Sequence, residues 1–385
     1  MTVTGAYGPS DLTAYLISSG VLDSDDARQR LWLRAFDEIP RHLFVPEHAW
    51  AQPQYDTPDH AISRDHDPTN WWKAVYTNTA IITQRGEGTT DVADISAYPT
   101  SSVSSPHVVA EMLHLLDLER HHNVLEIGTG SGWTAGLLSW RLSDDQVTTI
   151  EVDKAVADAA EENLRRIGGV VEVIVGDGQF GWPDHAPYDR VHVTCGVRDI
   201  PYAWVEQTRP GGSIVLPWMP MPGQWGMQLR LDVLDDGTAI GTFHNDCGFM
   251  MLRSQRDAWS TFPDDSADSV TTTTRTDPRE AWAALNRGFG LGLAATAPHI
   301  AITSAGREVL ADGSGWVMRL RDLRDDGWAI ATIRPGEDTE VVQSGARQLW
   351  TQLETAFMEW LRGGRPDRSA YRMLVTPSKQ DVWLT

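Results

Sequence analysis

Three glycines at alternating positions, in Gly128-Thr129-Gly130-Ser131-Gly132, constrain this chain more than any other feature. They close a short apolar run, Val124, Leu125 and Ile127, which reads as a buried strand entering a loop stripped of side chains. Trp133, Leu137 and Leu138 begin the apolar face of a helix, and Val147 to Ile150 form a second β-rich run ending on Glu151 and Asp153. The order predicts a βαβ unit. The N–H groups that open its helix offer donors and partial positive charge to a phosphate or a carboxylate, and glycine lets such a ligand reach them. A dinucleotide site asks for G-x-G-x-x-G, whereas counting from Gly128 puts the bulky Trp133 at the third glycine.

The order G-x-G-x-G, with Glu126 before it and an acid closing the next strand, resembles the S-adenosylmethionine loop of class I methyltransferases. The resemblance implies that Glu126, Gly128, Thr129, Gly130 and Gly132 cradle the cofactor, and that Glu151 accepts hydrogen bonds from its ribose hydroxyls. Two other stretches are similar to protein-L-isoaspartate O-methyltransferases. Pro40, Arg41, Phe44, Val45 and Pro46 match a Pro-Arg-x-x-Phe-Val-Pro pattern, and Val103, Ser104, Pro106, Val109 and Ala110 match a hydrophobic-Ser-x-Pro-x-x-Val-Ala pattern. This family resemblance makes Ser104 the residue that meets the acceptor, with Val103, Ser105 and His107 beside the substrate. It also places Asp177, with Gly178, at the adenine amino group. Ser101 and Ser102 stand where the family usually has Gln-Thr, which bears on substrate recognition. The match runs over roughly residues 30 to 235, through Tyr188-Asp189, a helix opened by Pro201, and Gly211-Gly212.

The fold so implied is α/β, a Rossmann-like doubly wound sheet of the class I S-adenosylmethionine-dependent type. A helical and hairpin extension over residues 1–100 precedes the core at 101–235, and an α+β accessory domain follows at 236–385, expected to recognise a peptide. Within the extension, Asp25 and Asp26 precede a helical stripe of Leu31, Leu33, Ala35, Phe36 and Ile39 that Pro40 breaks. Val75, Thr77, Thr79, Ile81 and Ile82 favour strands of a hairpin. In the accessory region, Trp316 to Leu320 and Trp328 to Ile333 read as strands, and residues from Gly345 to Leu361 as a helix. The acidic stretch from Pro263 to Asp268, followed by Thr271 to Thr274, reads as a boundary.

A formal charge of -21 repels nucleic-acid phosphates and anionic membranes, so neither is expected as a partner. The amino terminus has no basic, continuously apolar leader, and the two cysteines are far apart, which fits a cytoplasmic protein. No histidine pair has metal-ligand spacing with an acid or cysteine partner, so no metal is expected. Cys195 reads as a small buried thiol at a strand end and His192 as a packed core histidine.

A carboxylate is already an anion at neutral pH, so its methylation needs placement and water exclusion rather than a general base. The acceptor expected here is an aspartate or isoaspartate carboxylate whose ester closes to a succinimide. The extra domain points to a tailoring enzyme that esterifies a macrocyclised, ribosomally made precursor peptide of the lanthipeptide or graspetide type. The alternatives are repair of isoaspartyl proteins and a non-catalytic peptide-binding scaffold, against which the complete loop and both acids argue.

Overall fold

In the computed structural model, which describes residues 7–54, 57–221, 226–256, 268–310 and 313–385, the polar amino-terminal stretch folds as two helices, α1 (Pro9–Ser18) and α2 (Ala27–Glu38). Asp26 starts α2 by accepting from the N–H groups of Arg28 and Gln29 at 2.8 and 2.9 Å, and Trp32, Leu33, Ala35 and Phe36 bury one face of it. Strands β1 (His48–Pro53) and β2 (His60–Ser63) precede helix α3 (Pro68–Val75). Strand β3 (Thr79–Arg85), strand β4 (Pro99–Val103) and helix α4 (Pro106–Leu115) come next. The strands form an antiparallel sheet in the order β2-β1-β3-β4.

The strand expected from Val75 begins only at Thr79. Asp67 caps the backbone of Asn70 at 3.1 Å and Pro68 takes the first helical position, so Trp71, Ala74 and Val75 form a buried helical face instead. A strong start signal outweighs the β preference of a lone valine.

The predicted βαβ unit is present as β5 (Val124–Ile127), α5 (Trp133–Arg141) and β6 (Val147–Glu151), continued by α6 (Lys154–Arg166) and β7 (Glu172–Val175). After β8 (Tyr188–Val193) and the short α7 (Tyr202–Glu206) comes β9 (Thr208–Trp218). These strands pair in parallel in the order β7-β6-β5-β8-β9. The order turns back between β5 and β8, and the crevice outside the carboxyl ends of strands at such a switch point is where α/β sheets bind ligands. Trp133, the residue that spoils a dinucleotide fingerprint, is 2 % exposed and meets Phe36 of α2 edge-on at 5.6 Å, so its bulk joins the amino-terminal helices to the sheet.

Contacts divide the chain into two units, Met1–Cys195 with Ala203–Leu216 and Gly196–Tyr202 with Pro217–Thr385. Neither break falls at residue 100 or 235. Residue 100 lies inside β4, which pairs with β3, so the extension and the core are one body.

The second unit has an antiparallel ladder of β10 (Gly226–Val233) and β11 (Ala239–Cys247) with two strands from the end of the chain, β17 (Tyr371–Val375) and β18 (Gln380–Leu384). Between them in sequence lie β12 (Val270–Thr274), helices α8 (Pro278–Ala284) and α9 (Phe289–Thr296), β13 (Ile300–Leu310), β14 (Gly313–Asp322), β15 (Trp328–Ile333), β16 (Thr339–Ser344) and helix α10 (Leu349–Arg362). The five strands make a sheet ordered β12-β16-β15-β14-β13, and Ile302, Met318 and Leu320 share a core with Phe289, Leu353 and Phe357. Thr271 to Thr274, read above as part of a boundary, instead pair along β16 as an edge strand, as threonine's branched side chain allows. The acidic residues 263–267 lie outside the described residues. Among the described residues no helix is long and apolar enough to cross a membrane.

Candidate active site

Strand β5 is buried along its whole length and delivers the glycine loop to the switch point. Gly130 there has φ +54°, a left-handed conformation that disfavours a side chain, and a Cβ on it would lie 3.2 Å from the carbonyl oxygen of Ser102. That distance brings the end of β4, two residues before Ser104, onto the glycine loop after β5. Glu151, at the end of β6, accepts from the N–H of Gly130 at 2.9 Å with Oε2 and from that of Asp153 at 3.0 Å with Oε1. These two bonds tie the carboxylate to the backbone of the glycine loop and to the start of the helix after β6. Gln84 of β3 donates to Asp153 at 3.3 Å, a second tie between the antiparallel sheet and this corner. On the other side, the Thr194 hydroxyl donates to the carbonyl oxygens of Ile127 and Gly128.

Glu126 is fully buried on β5. Its Oε2 is hydrogen-bonded to the Thr149 hydroxyl at 2.7 Å, and the Thr129 hydroxyl lies 2.7 Å from that of Thr149 in turn. Oε1 has no partner, and burial, followed by the nearby charge of Glu151, pushes the carboxyl up to about 8. Asp177 closes the loop after β7 and caps it, with Oδ1 taking the Gln179 N–H at 3.0 Å and Oδ2 the Gln179 side-chain amide at 2.7 Å. Gly178 is buried at this turn, where a Cβ would collide with Ile127. Val152 and Phe180, next to these acids in sequence, are 39 % and 66 % exposed. They add apolar surface that periodicity could not single out, because both lie in turns.

Val103 is buried in β4, and Ser104 is half-buried with no hydrogen-bond partner for its hydroxyl among the described residues. Ser104 is not the helix cap that a serine in this place usually is. Ser105 takes that position for α4, without a side-chain capping bond. His107 is placed differently from a group aimed at a substrate. Its Nδ1 meets the Tyr15 hydroxyl at 3.1 Å and its Nε2 the Glu111 carboxylate at 3.3 Å, which commits both nitrogens to the packing of α1 on α4.

His192 is buried on β8 with Nδ1 unpartnered, and burial pushes it down to about 4, so it is a neutral core residue. Cys195 forms no disulfide and is half-buried. Among the described residues two groups have ligand-type atoms within 4.8 Å of one another, Glu119 with His121 and His122 and Glu47 with His48 and Asp65. The first precedes β5, whose opposite end carries the glycine loop.

The donor set suits a small, partly cationic nucleoside cofactor. An acid faces the glycine loop, a cradle at Gly130 would be filled by a single Cβ, and the buried hydroxyl of Ser101, 4.0 Å from that Cβ position, has no partner. The model of the family described as protein-L-isoaspartate(D-aspartate) O-methyltransferase matches residues 60–257. The protein-L-isoaspartate O-methyltransferase of Methanopyrus kandleri is 34 % identical over 220 residues, spanning 56 % of this chain and 80 % of its own. That of Thermococcus onnurineus is 36 % identical over 237 residues, or 60 % and 87 %. A solved structure of a protein-L-isoaspartate O-methyltransferase superposes with a TM-score of 0.54 at 18 % identity, covering 98 % of this chain and 99 % of its own.

Proposed function

Since the chain belongs to the protein-L-isoaspartate O-methyltransferase family, we propose that it methylates the free carboxylate of an isoaspartyl residue in a protein or peptide, using S-adenosyl-L-methionine held at the glycine loop. The observation that supports this reading is the 3.2 Å approach of the Ser102 carbonyl, at the end of the strand that leads to Ser104, to the Cβ position of Gly130. Bound there, the cofactor supplies a methyl group on a positively charged sulfur. Glu151 takes the ribose hydroxyls, and Val152 with Phe180 offers apolar surface to the adenine. Ser104 donates its unused hydroxyl to one oxygen of the acceptor carboxylate, leaving the other to attack. A bound cofactor would supply its methyl to that second oxygen with a neutral thioether as leaving group, a transfer in which no residue of this chain would need to take a proton. Burial pushes Glu126 up to about 8, so it is largely neutral near pH 7.

Length had pointed to a macrocyclic precursor as substrate. A solved structure bearing the repair enzyme's name covers 98 % of this chain, so length by itself gives no support to a macrocyclic substrate. Isoaspartyl repair is therefore the reading preferred over tailoring. The test incubates enzyme and labelled cofactor with three peptides of one sequence, linear isoaspartyl, linear aspartyl and cyclised aspartyl, and reads methyl ester and succinimide by mass spectrometry. Esterification of the isoaspartyl peptide alone supports the proposal. Turnover of only the cyclised peptide would reverse it in favour of tailoring, and turnover of none would leave the scaffold.

A further inference from the structure

Arg41 is a cation with no exposed surface, and among the described residues no carboxylate pairs with it. A buried charge persists only where other groups replace its hydration. Here backbone carbonyls do so. Nη1 donates to Val75 at 2.7 Å, and Nη2 is placed to donate to Thr79 at 2.8 Å, Val103 at 3.1 Å and Ser104 at 2.8 Å. Val75 is the last residue of α3, so its oxygen also carries the negative end of that helix. The guanidinium carbon lies 5.0 Å from the ring centroid of Trp133, whose face supplies further negative potential. Burial lowers the group to about 9, which leaves it charged at neutral pH.

The segments that meet on this one side chain are those that a methyl transfer must hold in register. Val103 ends β4, Ser104 follows it as the proposed acceptor-orienting residue, and Trp133 is the first residue after the glycine loop. We propose that Arg41 is a positioning residue for methyl transfer, whose planar fork fixes the backbone of Ser104 against the start of the cofactor-loop helix. It touches neither substrate nor cofactor. The inference rests on the proposed function for its meaning, but the geometry it asserts can be tested without that function.

Arg41→Lys keeps the charge and gathers its donors on one atom, so it cannot span carbonyls on both sides of a fork. The first measurement is hydrogen exchange. In the variant, amides of residues 101–108 should exchange at least about tenfold faster while those of β5 keep their protection. Exchange unchanged in the serine loop, or raised equally in β5, would overturn the proposal and leave Arg41 a general stabiliser. The second is kinetic, well below the melting temperature. The turnover number with an isoaspartyl peptide should fall by about 10- to 100-fold while the calorimetric Kd for the cofactor stays within about twofold. An unchanged turnover number would again refute the positioning role. If wild-type enzyme esterifies no peptide, the proposed function has failed, and the exchange result alone decides Arg41. Should Arg41→Lys not fold, Trp133→Phe weakens the face beneath the guanidinium with little loss of volume, and the same exchange measurement applies.

Discussion

Replacing Glu126 by glutamine should make stability less sensitive to alkali. The carboxyl has no exposed surface and one hydrogen-bonded oxygen, and burial pushes it from 4.5 up to about 8. In the unfolded chain it loses its proton near 4.5, and in the folded chain it keeps it until about 8. Between those values the folded state binds one proton more, so stability falls as pH rises, by about 1.4 kcal/mol per pH unit. The contribution of the neutral acid is thus fully present below its unfolded pKa and lost as pH passes through its folded pKa. From about pH 5 to about pH 8 the loss is on the order of 4 kcal/mol. Glutamine can accept the same bond from Thr149 and does not ionise. Urea unfolding of both proteins at several pH values gives the difference in their stabilities, from which His192 and the other titrating groups, common to both, largely cancel. That difference should move toward the glutamine variant by a few kcal/mol as pH rises. A difference that stays constant to within about 0.5 kcal/mol over the range would mean that the two states titrate alike, and the burial argument would be wrong.

Gly130→Val places a branched side chain at φ +54° and against the Ser102 carbonyl, so cofactor affinity measured by calorimetry should fall by at least about tenfold; undiminished binding would mean that the site lies elsewhere. Ser104→Ala removes the hydroxyl proposed to orient the acceptor, and should lower the turnover number with saturating isoaspartyl peptide by about tenfold with cofactor affinity unchanged. Equal rates for wild type and variant would reduce Ser104 to a spacer.

What the sequence disclosed was set by how local each signal is. The glycine loop, the strand before it and the acid after the next strand lie within one short run, and their geometry follows from the order of residue types alone. Asp26 and Asp67 both start helices, yet only the first was legible, because the β-branched residues beyond Trp71 and Trp72 masked the second. The edge strand at Thr271 to Thr274 was hidden for a related reason. Thr271 to Thr274 read as polar linker, and only pairing with β16, distant in sequence, makes them a strand. Arg41 stood out in a motif, but its partners are carbonyls of residues 75, 79, 103 and 104, and a carbonyl has no letter in a sequence.

The same distinction between side chain and backbone bears on Ser101 and Ser102, near the end of β4, where the family resemblance expects Gln-Thr. Ser102 faces the glycine loop through its carbonyl oxygen, which any residue supplies, and pairs with Ile82 through the ladder of β3 and β4. Arg41 grips the next two residues by their carbonyls as well. Nothing that fixes the loop's path depends on the side chains that changed. What does change is the polar inventory, since Ser101 leaves a buried hydroxyl without a partner beside the Gly130 cradle. An unpaired buried hydroxyl costs about 1–3 kcal/mol, so a ligand that satisfies it on binding recovers that energy, and Ser101→Ala should weaken cofactor affinity while raising the stability of the unliganded protein. Parallel thermal melts with and without cofactor would reveal it. A variant that melts lower than wild type in both would show that the hydroxyl is already satisfied in the empty enzyme, and the argument from its isolation would fail.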